Sequence, residues 1–329
     1  MTEKVASKRL PLGVRLKAWW DGYSVSDIAR RIAEREAVTH AAPEPDPPPP
    51  APETAAVRRV AMPWDSQRME IAELVWGEGY CGPGGPENVI AMSKLLTLSP
   101  EMSMLVIGAE LGGPARTLAQ NFGVWISAYE GDADLARAGM AISERKGLAK
   151  KAPVMQYDYA AARPFERRFD RAMAKESLFH VPELKPVIKR VEESLKDDGL
   201  LLITDYMISE ERFAFDPEVR KWMAHEPTKV HMRTPQEVVD VLADCGFGVR
   251  VNEDQTDHYQ HLVRQTWKGA GDFIKALLER GEEGRPLIDI LLREAELWTE
   301  RGKLFDSGKL RLQRILAHKK ELGTLMSDW

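Results

Sequence analysis

The residues best placed to do chemistry are gathered around glycines. Gly108, Gly112 and Gly113 interrupt the run Met102-Ser-Met-Leu-Val-Ile-Gly-Ala-Glu-Leu-Gly-Gly-Pro-Ala-Arg-Thr-Leu-Ala119, which begins as a buried strand and resumes as a helix. A turn of this kind brings backbone N–H groups close to a ligand at the carboxyl end of a parallel strand, with the helix N-terminus behind them. Glu110 sits inside the turn and puts a carboxylate where close backbone approach favours glycine. An acid at a strand end about 20 positions beyond such a turn is where the ribose hydroxyls of a nucleotide-type ligand are held. Glu130, in Val124-Trp-Ile-Ser-Ala-Tyr-Glu130, has that position; its ordinary alternative is a solvated loop acid. His180, in Leu178-Phe-His-Val, is a candidate general base just past a strand, or a histidine packed by Phe179. Tyr80, Tyr206, His225, His231, His258 and Tyr259 are further candidates for an acceptor pocket.

The elements that must hold these residues alternate between strand and helix. Asp65 or Ser66 caps a helix presenting Ile71, Leu74 and Val75, and Trp76-Gly-Glu-Gly-Tyr-Cys-Gly-Pro-Gly-Gly-Pro86 is a loop able to act as a lid. A helix with Val89, Ile90, Met92 and Leu96 follows. After the glycine turn come the strand ending at Glu130 and a helix capped by Asp132 that runs through Ala141 to Lys146. Next are short strands at 153–158 and 169–175, then helical spacing of Leu184, Ile188, Val191 and Leu195. Gly199–Tyr206 is the most apolar strand. Thr234–Gly246 has a capping threonine, Pro235 at the first position, a box-like Glu237 and a glycine stop. Phe247–Glu253 is a strand, two helices cover about Asp257–Arg280 and Arg285–Arg301, and 309–318 is a last strand. This alternation predicts an α/β fold with a mainly parallel sheet covered on both faces.

The chain has 329 residues and a formal charge of −5, a balance that gives no strong nucleic-acid signal. Its two cysteines, Cys81 and Cys245, have no metal-ligand spacing, and no metal site is expected. The sequence shows neither a transmembrane segment nor a secretory h-region, which together with the cysteines points to a cytoplasmic protein. Four parts are expected: an N-terminal helical appendage (1–40), a proline-rich linker (41–62), the α/β domain (63–319) and a polar tail (320–329). The appendage reads as helices at Val14–Trp20 and Ser26–Glu36. They resemble the opening of a helix-turn-helix without its recognition helix. Residues 10–37 are a candidate surface for a protein partner, with a membrane-surface contact as another reading.

From about Asp65 to Lys319 the succession resembles the class I S-adenosylmethionine-dependent methyltransferases, and among them the small-molecule N-methyltransferases of the sarcosine/dimethylglycine and phosphoethanolamine type. Val106-Ile-Gly-Ala-Glu-Leu-Gly-Gly-Pro-Ala-Arg116 stands at the family's acid-x-Gly-x-Gly-x-Gly-Gly loop. Ala128-Tyr-Glu130 stands at the acidic end of the second strand, and Gln156-Tyr-Asp158 at the adenine-contacting acid. Phe169-Asp170 to His180-Val matches the fourth strand and its turn. Gly246-Phe247 with Glu253-Asp-Gln-Thr256 matches the strand before the substrate-side insertion. The resemblance implies a Rossmann-like sheet of seven strands, the last antiparallel, with the sulfonium ligand across the strand ends. It places Gly108, Ala109, Glu110, Gly112, Gly113, Glu130, Gly131, Asp158, Tyr159 and Lys175 at the S-adenosyl-L-methionine site and His180 at the reacting centre.

The departures are Val106, where the family has an acid, and Glu110, where it has a glycine. The implied activity is methyl transfer to a small-molecule acceptor. The alternative is an inactive methyltransferase-like module that recruits a partner through its N-terminal helices.

Overall fold

The computed structural model describes residues 62–320, except 162, 166 and 167. The N-terminal helices, the linker up to residue 61 and all of the C-terminal tail but Lys320 lie outside the described residues.

Asp65 caps α1 (Ser66–Trp76) by accepting the Arg68 N–H, and glycines take the chain from there to α2 (Gly85–Ser93). Strand β1 (Ser103–Ile107) is followed by α3 (Gly113–Phe122), β2 (Trp125–Glu130) and α4 (Ala133–Arg145). Then come β3 (Val154–Gln156), β4 (Phe169–Lys175), a single 3-10 turn at Leu178–His180, α5 (Leu184–Ser194) and β5 (Leu195–Ile208). The remainder is α6 (Pro217–His225), α7 (Pro235–Asp244), β6 (Phe247–Asp254), α8 (Thr256–Trp267), α9 (Ala270–Glu279), α10 (Gly284–Asp306) and β7 (Leu310–Lys319).

The sheet order is β3-β2-β1-β4-β5-β7-β6, and β7 runs antiparallel to both its neighbours. The other pairings, β1 with β2 and β4, β2 with β3 and β4 with β5, are parallel. The chain therefore runs outward through β2 and β3 and then crosses β1 to lay down β4 on its other side. That reversal opens a crevice at the carboxyl ends of β1 and β4, the place where open α/β sheets take their ligands.

Both faces of the sheet are buried, as its uninterrupted apolar strands require. Leu105, Ile107, Ala172, Ala174, Leu201 and Ile203 alternate onto one face, where Val187, Ile188 and Val191 of α5 and Val238 and Leu242 of α7 meet them. Val106 and Met173 between them are also fully buried. The capping box of Thr234 and Glu237 is present at the start of α7.

The C-terminal helical region differs from its sequence reading. Two expected helices are three, because the chain breaks at Lys268-Gly269 and again before Gly284, and α10 continues to Asp306. The strand expected over 153–158 forms its ladder only at Val154–Gln156. Helix α6 was not read from the sequence, although Asp216 caps it and Pro217 starts it. Among the described residues, no helix is long and apolar enough to cross a membrane.

Candidate functional site

The glycine turn is built as its sequence demands. Gly108 (φ 75°) and Gly112 (φ 81°) adopt left-handed backbone, and Gly108 passes so close to the end of β4 that an added Cβ would lie 2.4 Å from the Lys175 carbonyl oxygen. Glu110 also has positive φ, 54°, a conformation that costs a non-glycine residue on the order of 1 kcal/mol. Its side chain turns across the crevice. Oε1 lies 2.6 Å from the Lys175 ammonium, and Oε2 accepts the Cys81 N–H at 2.9 Å.

Lys175, at the end of β4, is 1% exposed and also lies 3.1 Å from the Glu176 carboxylate. Burial alone would depress its pKa, but the two carboxylates outweigh it and hold the ammonium above its ordinary range. Val106, at the family's acidic position, is packed inside the sheet and offers no charge to the crevice.

Glu130 closes β2 beside the same turn. One carboxylate oxygen accepts the Glu110 N–H at 2.8 Å and the other the Asp132 N–H at 3.1 Å. Burial pushes its carboxyl up to about 7 despite those two hydrogen bonds. Tyr159 lies along the turn: its hydroxyl accepts from Gly108 N–H at 3.4 Å and donates to the Tyr129 carbonyl at 3.1 Å. A Cβ on Gly131 would sit 3.1 Å from its ring. Asp158 is exposed in the turn after β3, where its carboxylate accepts the Ala160 N–H. The turn, Glu130, Gly131, Tyr159 and Lys175 thus share one crevice, with Asp158 at its outer edge.

The glycine-rich loop after α1 lies over this crevice. Gly113 N–H donates to the Gly79 carbonyl at 2.8 Å, and Tyr80 and Thr117 hydroxyls are 2.6 Å apart. Gly82 comes within 3.3 to 3.9 Å, measured from an added Cβ, of Glu176, Lys175 and Tyr259. A Cβ at Gly113 would meet the Gly79 carbonyl oxygen at 2.5 Å, a backbone atom that cannot step aside alone. Gly113→Ala is therefore expected to push the loop off the α3 N-terminus and destabilise the fold by about 1–3 kcal/mol. Thermal unfolding and limited proteolysis within 77–84 check this, and an unchanged Tm with an equally protected loop would contradict it.

Below Gly82 is a group that spacing does not reveal. Glu176 (φ 45°) follows Lys175, with its side chain 8% exposed. Its Oε2 accepts from the Tyr259 hydroxyl at 2.5 Å and from the Tyr206 hydroxyl at 3.4 Å, while Oε1 faces the Lys175 ammonium at 3.1 Å. Tyr206 stands near the end of β5 and Tyr259 on α8, their hydroxyls 2.5 Å apart. Phe179 and Trp222 pack behind Tyr206, and Trp298 behind Tyr259. This is a buried carboxylate among aromatic rings, a setting that suits a cation.

His180 stands next to that cluster, its ring 3.8 Å from Phe179 and its Nδ1 3.2 Å from the Lys229 carbonyl. With Nδ1 donating there, Nε2 is the acceptor. Burial lowers its pKa to about 4, so the ring is neutral at physiological pH. Asp205 positions this turn by accepting the Phe179 N–H at 3.0 Å. A shallow recess beside Asp205, His231 and Arg233 lies behind Phe179, and we assign it no part in the chemistry. Of the other candidates, Tyr206 and Tyr259 are brought together and Tyr80 joins the loop. His225 is paired with Glu300, His258 contacts Asn88, and His231 lines the recess. Among the described residues no group of three or more His, Cys, Asp or Glu could hold a metal, and Cys81 and Cys245 are both free thiols.

The groups present fit S-adenosylmethionine in kind. Glu130 can accept from ribose hydroxyls, Tyr159 offers an aromatic face beside it, and Lys175 with Glu110 offers opposite charges to an amino-acid zwitterion.

Comparison with known proteins agrees with this fit. No family model matches the chain. It is 25% identical over 197 residues to phosphoethanolamine N-methyltransferase 3 of Arabidopsis thaliana, covering 59% of this chain and 38% of that protein. It is 22% identical over 224 residues to the phosphoethanolamine N-methyltransferase of Plasmodium falciparum, covering 66% and 82% respectively. The chain thus spans well under half the length of the plant relative, and most of the shorter one.

Phosphoethanolamine N-methyltransferase 2 of Haemonchus contortus, solved with S-adenosyl-L-methionine, superposes with a TM-score of 0.65 at 17% identity, covering 77% of this chain and 57% of that one. The cyclopropane synthase MmaA2 of Mycobacterium tuberculosis does so with a TM-score of 0.59 at 18% identity, covering 71% and 84%. The chain has the class I methyltransferase fold and resembles S-adenosylmethionine-dependent small-molecule methyltransferases of the phosphoethanolamine type.

Proposed function

We propose that the chain is an S-adenosylmethionine-dependent methyltransferase acting on a small molecule, with an amine as acceptor. The observation that carries this reading is the pairing of two anchored carboxylates across one turn: Glu130, held by two backbone N–H groups beside Gly108, and Glu176, held by two tyrosine hydroxyls at the end of β4. The first suits a ribose and the second an amine, and the reversal of strand order puts both at the same crevice.

When bound, S-adenosylmethionine supplies an electrophilic methyl group on a sulfonium. The chain's own work is then mainly alignment, because an in-line displacement gains most from holding donor and acceptor in register. Glu176 and the Tyr206 and Tyr259 hydroxyls orient the acceptor nitrogen. Neutral His180 is too weak a base to take the amine's proton and shapes the wall beside Phe179, so the acceptor reacts in its unprotonated form, its proton having passed to solvent. The loop at 77–84 lifts to admit ligands and closes to exclude water.

Calorimetric titration of the full chain with S-adenosylmethionine and S-adenosylhomocysteine tests the reading. Binding of both in the micromolar range is expected, together with methyl transfer to a simple amine. No heat of binding up to millimolar ligand would overturn it.

A further inference from the structure

This inference rests on the methyltransferase reading and concerns what its acceptor carries. We infer that the acceptor is a cationic amine without a phosphate group, and that Glu226 sets this preference by neutralising Arg301 beside the acceptor subsite. The curated relatives compared above are named for a phosphorylated amine, so the charges around Glu176 decide whether that substrate class carries over.

A phosphate next to the amine would need at least one basic side chain with hydrogen-bond donors to spare. Among the described residues two basic side chains are buried around the cluster: one is turned to the glycine turn and the amino-acid end of the nucleoside ligand, and the other is committed. Lys175 is held between Glu110 and Glu176. Arg301, from α10, lies with its guanidinium 5.1 Å from the Tyr206 ring centroid and 4.5 Å from that of Trp298. It is the group that could reach a phosphate, since Tyr206 spans the gap between it and Glu176.

Glu226, at the end of α6, takes that capacity away. It accepts from Arg301 Nε and Nη2 at 2.8 Å each, and from the Trp222 indole N–H as well. The side chains of Glu226 and Arg301 are 1% and 11% exposed, so the pair is not screened by water. His180 adds no charge at neutral pH. Three carboxylates (Glu110, Glu176, Glu226) therefore face two cations (Lys175, Arg301), and the cluster carries one excess negative charge. Aromatic faces with a net negative charge attract an ammonium and repel a phosphate dianion.

Ethanolamine and phosphoethanolamine differ only by the phosphate and are the probes. With the full chain saturated by S-adenosylhomocysteine, ethanolamine is expected to bind at least tenfold more tightly than phosphoethanolamine, and inorganic phosphate at 20 mM, a concentration on the order of ordinary buffers, should not compete with it. Glu226→Gln frees the Arg301 fork and removes the excess negative charge, so it should raise phosphoethanolamine affinity at least tenfold while ethanolamine affinity falls, by about tenfold at most. A wild-type preference for phosphoethanolamine, or competition by phosphate, overturns the inference without any variant. A folded Glu226→Gln protein with an unchanged ratio overturns the role of Glu226. Failure of the underlying reading looks different, as absent binding of the nucleoside ligand; the comparison of the two amines on the protein alone then still decides the charge argument.

Discussion

Replacing Glu110 by glutamine is expected to weaken S-adenosylmethionine binding by about 10- to 100-fold, the loss of one charge-assisted hydrogen bond worth roughly 1.5–3 kcal/mol. The reasoning starts at Val106. It leaves the end of β1 without the acid that resembling proteins carry there, and a ligand with an ammonium and a sulfonium needs a negative charge nearby. Glu110 returns that charge from within the turn, at the cost of a left-handed backbone, and is steered across the crevice by Lys175 and the Cys81 N–H. Lys175 and Glu110 together match a zwitterion: the ammonium of one can face the ligand's carboxylate while the carboxylate of the other faces its ammonium.

Glutamine keeps the shape and one acceptor but leaves Lys175 with Glu176 as its remaining partner, so the excess negative charge that faces a cationic ligand is lost. Because that second pair survives, the variant should stay folded, which its thermal unfolding checks. Glu110→Gly makes the test two-sided. It relieves the strain and empties the space, so tighter binding by calorimetry would mean that the carboxylate obstructs, and would overturn its assignment as a ligand group.

Glu110 also marks how far the sequence could be read. The strand, glycine turn and helix around it, the acid at Glu130 and the alternation of strand and helix follow from local pattern, because turns, caps and buried strands are decided by neighbours in sequence; the seven-stranded sheet with its antiparallel last strand follows from the family resemblance. The direction of the Glu110 side chain is decided by Lys175, 65 residues away, and no local rule reports it. The same holds for Glu176, which looks like an ordinary residue after a strand until Tyr206 and Tyr259 arrive from β5 and α8. Glu226 and Arg301, 75 residues apart, become a pair only when α6 packs on α10.

The misreadings of local structure have local causes. Lys268-Gly269 interrupts two helical patterns that share an apolar face, so three helices read as two. Helix α6 carries its own local start signal, with Asp216 as cap and Pro217 at the first position.

Glu130→Gln is expected to change both stability and ligand binding in ways that depend on pH, and the signs are fixed by its burial. The folded-state carboxyl titrates near 7, above an unfolded value near 4.5. The folded protein therefore binds this proton more tightly than the unfolded chain does. The contribution of Glu130 to stability is greatest below about pH 4.5, falls as pH rises through 7, and is flat beyond. Over that window the wild type should lose on the order of 3 kcal/mol relative to the glutamine variant. The variant pays a constant penalty because its amide can accept only one of the Glu110 and Asp132 N–H groups, but that penalty does not vary with pH. Urea unfolding of both proteins at pH 5 and pH 8 measures the difference, and equal changes in the two would refute the buried-charge account.

Binding should run the other way. Ribose hydroxyls donate best to the ionised carboxylate, so wild-type affinity for S-adenosylhomocysteine should rise about tenfold from pH 6 to pH 8, roughly fivefold of it by pH 7, and level off above pH 8. The glutamine variant should bind about 100-fold more weakly at pH 8 with no such rise. A protein whose stability falls while its affinity climbs over the same pH interval holds a charge in place for a ligand. A flat wild-type affinity across that interval would remove Glu130 from the ribose site and leave it as a cap for the turn.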